Sequence, residues 1–209
     1  MRKTKRALIL RAAGMLFANK GFKETSVKDI SQLTGAAEGT IFHHFKSKEH
    51  ILETILEDFR DWISLEYDHY FKDKTFRNGM HMLEEVISFY LYLAGLMEDH
   101  FLLLHRHFVY QLAETSPACR GHLEAIYSRI VDQFEKAVLS GQEDGSIASL
   151  SARRTALLVF TMVDGLVRFK IYNLYDAGAL YNDLIGLCRK MLSPGNSAAP
   201  LDPAGGAGS

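Results

Sequence analysis

The sequence predicts an all-α protein of about nine helices. A three-helix head occupies residues 1–47, a helical body 48–192 and a tail 193–209. Three observations carry this reading. Apolar residues recur with a 3.6-residue period through almost every segment. No run alternates apolar and polar residues as a half-buried strand would. Glycine, proline and capping Ser or Thr fall where one helix should end and the next begin. With 47% hydrophobic residues in 209, the chain can bury a sizeable core in one or two domains.

Thr4 can cap a first helix whose Leu8, Ile9, Ala12, Ala13, Leu16 and Phe17 share one face, closed by Gly21. Residues 26–48, SVKDISQLTGAAEGTIFHHFKSK, are the stretch around which the rest is organised. Ser26 can cap a short helix carrying Val27, Ile30 and Leu33, with Asp29 in its first turn. Gly35 permits the left-handed backbone that stops it, and Ile41, Phe42 and Phe45 anchor a second helix over roughly residues 37–45. Two helices meeting across a short glycine turn form the helix-turn-helix layout, whose second helix enters the DNA major groove.

Ser47, with Glu49 in the first turn, starts a fourth helix with the stripe Ile51, Leu52, Ile55, Leu56, Phe59 and Ile63. It runs past Trp62 toward Tyr70 and should link head to body. Residues 72–79 read as a loop, then 80–97 and 100–113 as two helices dense in aromatics and methionine. Ser116 and Pro117 break the chain, proline being tolerated at a helix start. Leu123, Ile126, Tyr127, Ile130, Val131, Phe134 and Val138 mark a long helix that Gly141, Asp144 and Gly145 should end. Ser149 or Ser151 starts the next, apolar nearly all round over 156–167, and Gly178 separates it from a last helix. The tail contains only Ser, Pro, Gly, Asn, Ala, Leu and Asp and is expected to be disordered.

The formal net charge of −1 hides an asymmetry. Residues 1–50 carry ten Lys or Arg against four Asp or Glu, so the head is basic and the remainder acidic. That is the balance of a phosphate-binding module on a body that does not bind DNA. Arg2, Lys3, Lys5 and Arg6 form a basic arm, read either as a solvated tail or as a phosphate or minor-groove contact. Residues 1–11 have no apolar core, so no signal peptide is expected. No stretch approaches eighteen uninterrupted apolar residues, so no membrane span is expected either. Cys119 and Cys188 lie far apart, in no metal or redox spacing, and read as buried thiols of a cytoplasmic protein.

Enzyme chemistry finds little support. Glu66 and His69 have the E-x-x-H spacing of a di-metal bundle, but the second copy such a site needs is missing. His100, His105 and His107 lack the i, i+4 pairing of a zinc site, and no nucleophile elbow or phosphate loop occurs. No catalytic residue, metal or cofactor is expected.

Phe17, Gly21, Phe22, Thr25, Asp29, Ile30, Gly35, Gly39, Thr40 and the run 42–49, FHHFKSKE, together resemble the N-terminal domain of the TetR family of bacterial repressors over about fifty residues. The resemblance implies a homodimer that binds an operator through its heads and a small-molecule effector in its body. It also implies that Thr25, Thr40, Phe42, Lys46 and Lys48 touch phosphates, while Ala37, Glu38, Gly39 and His43 face the groove floor. The sequence departs from the family at Ala37, where Ser or Thr is usual, and at Phe42, where Tyr is usual. The first departure removes a side-chain cap worth roughly 1 kcal/mol. Glu38 either favours the helix N-terminus or accepts a hydrogen bond from a cytosine amino group. A vestigial head on a helical ligand-binding or partner-binding protein is the rival reading, opposed by the retention of Thr40, His43, Lys46 and Lys48.

In the body, Phe89, Tyr92, Phe101, His105, Phe108, Phe160, Met162 and Phe169, joined by Tyr90 and Tyr110, are candidates to line a cavity for an apolar or aromatic effector. An acidic group on that effector would meet His105, Arg106 or His107. The plain alternative is that this aromatic stripe is simply core. Helices over 153–175 and 179–192 are the expected dimer interface, through Ala156, Phe160, Val163, Val167, Leu184 and Cys188. The first is too apolar around its circumference to stand half exposed.

Overall fold

The computed structural model describes residues 4–176 and 178–195. Among these residues there are ten α-helices and no strand: α1 Lys5–Asn19, α2 Val27–Thr34, α3 Glu38–His44, α4 Lys48–Phe71, α5 Gly79–Leu96, α6 Glu98–Leu104, α7 His107–Thr115, α8 Pro117–Glu143, α9 Ala152–Ile171 and α10 Tyr181–Leu192. Arg2, Lys3 of the basic arm and the tail beyond 195 lie outside the described residues. Among the described residues, no single helix is long and apolar enough to cross a membrane.

The caps follow the sequence closely. Thr4, Ser26, Ser47 and Ser116 each accept a backbone N–H at the start of α1, α2, α4 and α8, and Pro117 sits in the first turn of α8. Three boundaries differ. The predicted helix over 100–113 is two helices, because the backbone leaves helical geometry at Arg106. α8 runs through Gly141 to Glu143. α9 stops at Ile171, not Tyr175, with Asn173 in the left-handed region at φ 52°.

Gly141 answers to packing rather than to a turn, since a Cβ there would lie 2.5 Å from Ile147 Cγ1. A Cβ on Gly79, at the start of α5, would lie 1.9 Å from the Gly141 nitrogen, so the two backbones touch where α5 crosses α8. Asp144 Oδ2 accepts from Gly79 N–H at 2.6 Å, and Ser146 Oγ accepts from Met80 N–H at 3.1 Å, fixing that crossing.

α8 is the axis of the body and packs on α4, α5, α7 and α9. The head packs on the body mainly where α1 crosses α6, and α4 runs unbroken from one to the other. One apolar core is continuous from Ile9 and Phe17 in the head through Leu52 and Phe59 to Phe134 and Val163 in the body.

The six residues expected at a dimer interface face this core instead. Ala156, Phe160, Val163, Val167, Leu184 and Cys188 are all buried within the single chain. The sequence shows that α9 is apolar on two faces, but not which face turns inward. The outward stripe is Leu157, Leu158 and Phe169 on α9, with Leu187 and Met191 on α10, and Leu158 is 69% exposed. Cys119 and Cys188 are buried and unpaired, and burial pushes both thiols up to about 11.

Candidate nucleic-acid interface

The head is built around α1, whose Ile9, Ala13 and Phe17 are fully buried. Ser26 and Asp29 form a reciprocal capping box on α2: Asp29 N–H donates to Ser26 Oγ, and Ser26 N–H donates to Asp29 Oδ2. Lys20 reaches the same carboxylate at 2.9 Å. The Lys20 bond and then the Ser26 donors hold the Asp29 carboxyl far below the usual carboxylate range. Gly35, at φ 68°, ends α2 and turns the chain into α3.

α3 is held from below by Ile41, 1% exposed, and by Phe45, 2% exposed at its C-cap. Ala37 offers no side-chain cap, so the departure read from the sequence leaves the N-terminal N–H groups of α3 without that partner. Burial of Ile41 and Phe45 fixes the opposite face outward. Gly39 and His43 stand exposed on that face, Glu38 and Phe42 are exposed at its edges, Ala37 and Lys46 are exposed just outside the helix ends, and Thr40 and His44 are half-buried. Phe42 is 54% exposed on a helix anchored by other residues, so nothing in the chain's own packing accounts for its ring. The rings of His43 and His44 lie 5.3 Å apart.

Two residues expected at phosphates are engaged inside the head. Thr25 is 1% exposed, and its hydroxyl donates to the Gly21 carbonyl at 2.7 Å. Lys48 Nζ donates to the carbonyls of Phe22 and Thr25, both at 2.7 Å, and lies 4.7 Å from the centre of the Phe22 ring. Lys48 therefore clamps the α1–α2 loop and keeps one of its three N–H groups for another acceptor. Lys5 and Arg6 belong to the first turn of α1, where Arg6 lies over the Phe45 ring and near Asp58.

The eight residues expected to line one effector cavity are dispersed. Phe89, Phe101 and Phe160 are core: Phe89 stacks on Tyr70 with centroids 3.8 Å apart, and Phe160 meets Tyr90 and Phe134 edge-on. Tyr92 lines a 350 Å³ hollow between α5, α9 and α10. Phe169 is exposed against Tyr175, and Met162 is half-buried on the core. Phe108 stacks on Phe22 of the head at 5.4 Å.

His105 is the buried polar member of the set. Its Nδ1 faces the Phe101 carbonyl at 2.7 Å and its Nε2 faces Asp164 Oδ2 at 3.2 Å. Both partners are acceptors, which suits an imidazolium carrying two N–H donors. Burial opposes that charge, but the Asp164 bond and carboxylate outweigh it and raise the His105 pKa. Tyr90 donates to the other oxygen of Asp164 at 2.5 Å, closing a Tyr90–Asp164–His105 cluster in the body's core.

The next residue belongs to the head–body junction, which sequence reasoning missed. Arg106 Nε donates to the Ala18 carbonyl at the end of α1 at 2.7 Å. Asn19 Nδ2 donates to Asp99 Oδ1 at 3.1 Å, and the Phe22–Phe108 stack completes the contact. The only sequence signal was the proximity of Arg106 to two histidines, which pointed to a ligand and not to the head.

Residues 9–55 match the family model described as bacterial regulatory proteins, tetR family. The HTH-type transcriptional repressor KstR2 of Mycolicibacterium smegmatis is 43% identical over 60 residues, which are 29% of this chain and 29% of that repressor's length. The HTH-type transcriptional regulator TtgR of Pseudomonas putida is 26% identical over 95% of this chain and 93% of its own. Among solved structures, FadR of Bacillus subtilis in complex with stearoyl-CoA superposes with a TM-score of 0.69 at 23% identity, over 87% of this chain and 96% of that one. The last likeness concerns the fold alone. Residues 9–55 thus carry the head of the tetR family of bacterial regulatory proteins, on a body that shares the fold of these solved structures over most of its length.

Proposed function

We propose that the chain is a cytoplasmic, homodimeric transcriptional repressor, released from a palindromic DNA operator by a small effector bound in its body. The observation that carries this is the outward face of α3. An exposed aromatic, a histidine and a side-chain-free glycine stand together on a short helix anchored beneath by Ile41 and, at its end, by Phe45, with the exposed Lys46 just beyond. Residues 1–47 form the DNA-binding unit and 48–192 the effector and dimer unit. Thr40 and Lys46 reach phosphates and the Phe42 ring packs against the backbone sugars, giving affinity and salt dependence without sequence information, while Lys48 holds the loop before α2. Ala37, Glu38, Gly39 and His43 meet base edges in the major groove. Thr25 acts from inside, by holding the loop before α2.

The outward leucines of α9 and α10 form the dimer face, and its twofold axis presents two α3 helices to half-sites roughly 34–36 Å apart. The aromatic body favours an apolar or aromatic effector, a reading that the acyl-thioester complex of FadR supports. Bound effector shifts the heads through α4 and the Arg106–Ala18 contact, and the coupling is reciprocal, so operator DNA weakens effector binding by the same factor. The test is selection of bound duplexes from a random pool at fixed moderate salt. A palindromic motif is expected; binding without a motif, fading as salt rises, would leave only non-specific phosphate attraction.

A further inference from the structure

Between head and body lies a cleft of about 540 Å³ that the reading above does not use. Lys20 and Lys23 reach it from the head, and Arg106 and Arg168 from the body, with Tyr172 and Phe108 as its flat apolar walls. Glu24 is the one carboxylate among its lining residues. Lys20 is matched by Asp29. The other three cations are not matched. Arg106 spends only Nε, on Ala18, and its terminal nitrogens have no hydrogen-bond partner among the described residues. Neither Lys23 nor Arg168 has a side-chain hydrogen bond or ion pair among the described residues.

Two guanidinium groups and an ammonium facing one cleft repel each other unless an anion lies between them. Guanidinium donors in a planar fork match the oxygens of a phosphate two at a time. The volume suits a molecule of nucleotide size, and aromatic walls next to the cations suit a flat ring attached to the phosphates. We propose that this head–body cleft binds a small phosphorylated anion, and that its occupancy ties Lys23 of the head to Arg106 and Arg168 of the body. The anion needs both walls in place, so it favours the present placement of the head. Operator affinity then changes with ligand by the factor by which operator changes ligand affinity.

Calorimetric titration of the full chain with pyrophosphate and with ADP, at low ionic strength and without DNA, tests the site. Arg168→Gln and Lys23→Gln are expected to weaken both probes about tenfold or more, the loss of a charge-assisted hydrogen bond. Arg154→Gln, fourteen residues from Arg168 on the same helix and therefore roughly 20 Å away, should leave them unchanged. Failure of the wild-type chain to bind either probe overturns the proposal. So does equal weakening by Arg154→Gln, which would mean general charge attraction. A third refutation is that Arg168→Gln weakens duplex DNA in ligand-free solution while leaving pyrophosphate binding intact, which would assign that arginine to the DNA backbone. Because the titration contains no DNA, its outcome is independent of the repressor reading. The coupling is read separately, as a shift in duplex affinity at saturating ADP.

Discussion

Replacing Lys48 by Met decides whether that side chain is a phosphate contact or an internal clamp. Its ammonium donates two 2.7 Å hydrogen bonds, to Phe22 and Thr25, and lies 4.7 Å from the Phe22 ring centre. A hydrogen bond from a charged donor contributes about 1.5–3 kcal/mol net, and the lower end applies where the carbonyls are only partly buried and water can replace the donor. The ring contact adds about 0.5 kcal/mol at such exposure. Methionine keeps the apolar stem against Phe22 and recovers part of this, which leaves a loss of about 3 kcal/mol. For a chain of this size, that lowers the midpoint of thermal unfolding by roughly 6–12 °C. The assay pairs calorimetric unfolding with duplex affinity measured across a salt series. A clamp predicts a large fall in stability and a salt slope that stays nearly constant once the head is folded. If stability is unchanged while the slope of log affinity on log salt falls by about 0.9 per lost contact, the clamp argument is wrong and Lys48 belongs to the DNA.

Four further outcomes follow from particular contacts. Glu38→Ala should change base preference at one operator position in a duplex selection; unchanged preference would leave Glu38 only a role at the α3 N-terminus. Leu158→Asp combined with Leu187→Asp should give a folded monomer by sedimentation, whereas a folded dimer would place the interface elsewhere than the outer face of α9 and α10. Gly79→Ala should cost about 1–3 kcal/mol, because its Cβ meets the backbone of Gly141. Gly121→Ala, in open space on α8, should gain about 0.5–1 kcal/mol, and denaturant unfolding of the pair with the same sign would contradict the crossing. His105 has a raised pKa in the folded chain, so the stability it supplies through Asp164 is complete below its unfolded value near 6.5 and is lost as pH rises through the folded value. The deficit of Asp164→Asn relative to wild type should therefore shrink as pH rises above about 6.5 in urea titrations; a deficit that grows would reverse the assignment of charge.

The helices were legible because their signals are local. Ser26 with Asp29, Gly35, Ser47, and Ser116 with Pro117 are each decided within one turn of backbone, and each does in the structure what its neighbours in sequence dictate. The outward face of α3 was legible for a related reason: with Ile41 as the anchor, helical period puts Gly39 and His43 on the opposite side of the helix. The body resisted because its decisions are made across the fold. α9 carries apolar residues on two faces, and which face turns inward depends on α5 and α8, so Val163 was placed outside and Leu158 overlooked. Gly141 read as a stop because the sequence cannot show that the start of α5 lies against it.

The break between α6 and α7 makes the same point where it bears on function. His105 and Arg106 are neither glycine nor proline, and the apolar period runs through them, so local rules give one helix. In an unbroken helix, consecutive side chains diverge by about 100° and stay on one rod. Here the rod is cut, and two adjacent residues serve different parts of the molecule. The His105 ring lies in the core cluster with Asp164 and Tyr90, while the Arg106 guanidinium holds the Ala18 carbonyl near the end of α1. Each contact is tertiary, and together they outweigh the continuous helix that intrinsic propensity favours. The path from the core of the body to the end of α1 is therefore one peptide unit long. A backbone shift that carries His105 away from Asp164 must either rotate that peptide or stretch the 2.7 Å bond to Ala18, and so strains the contact between body and head.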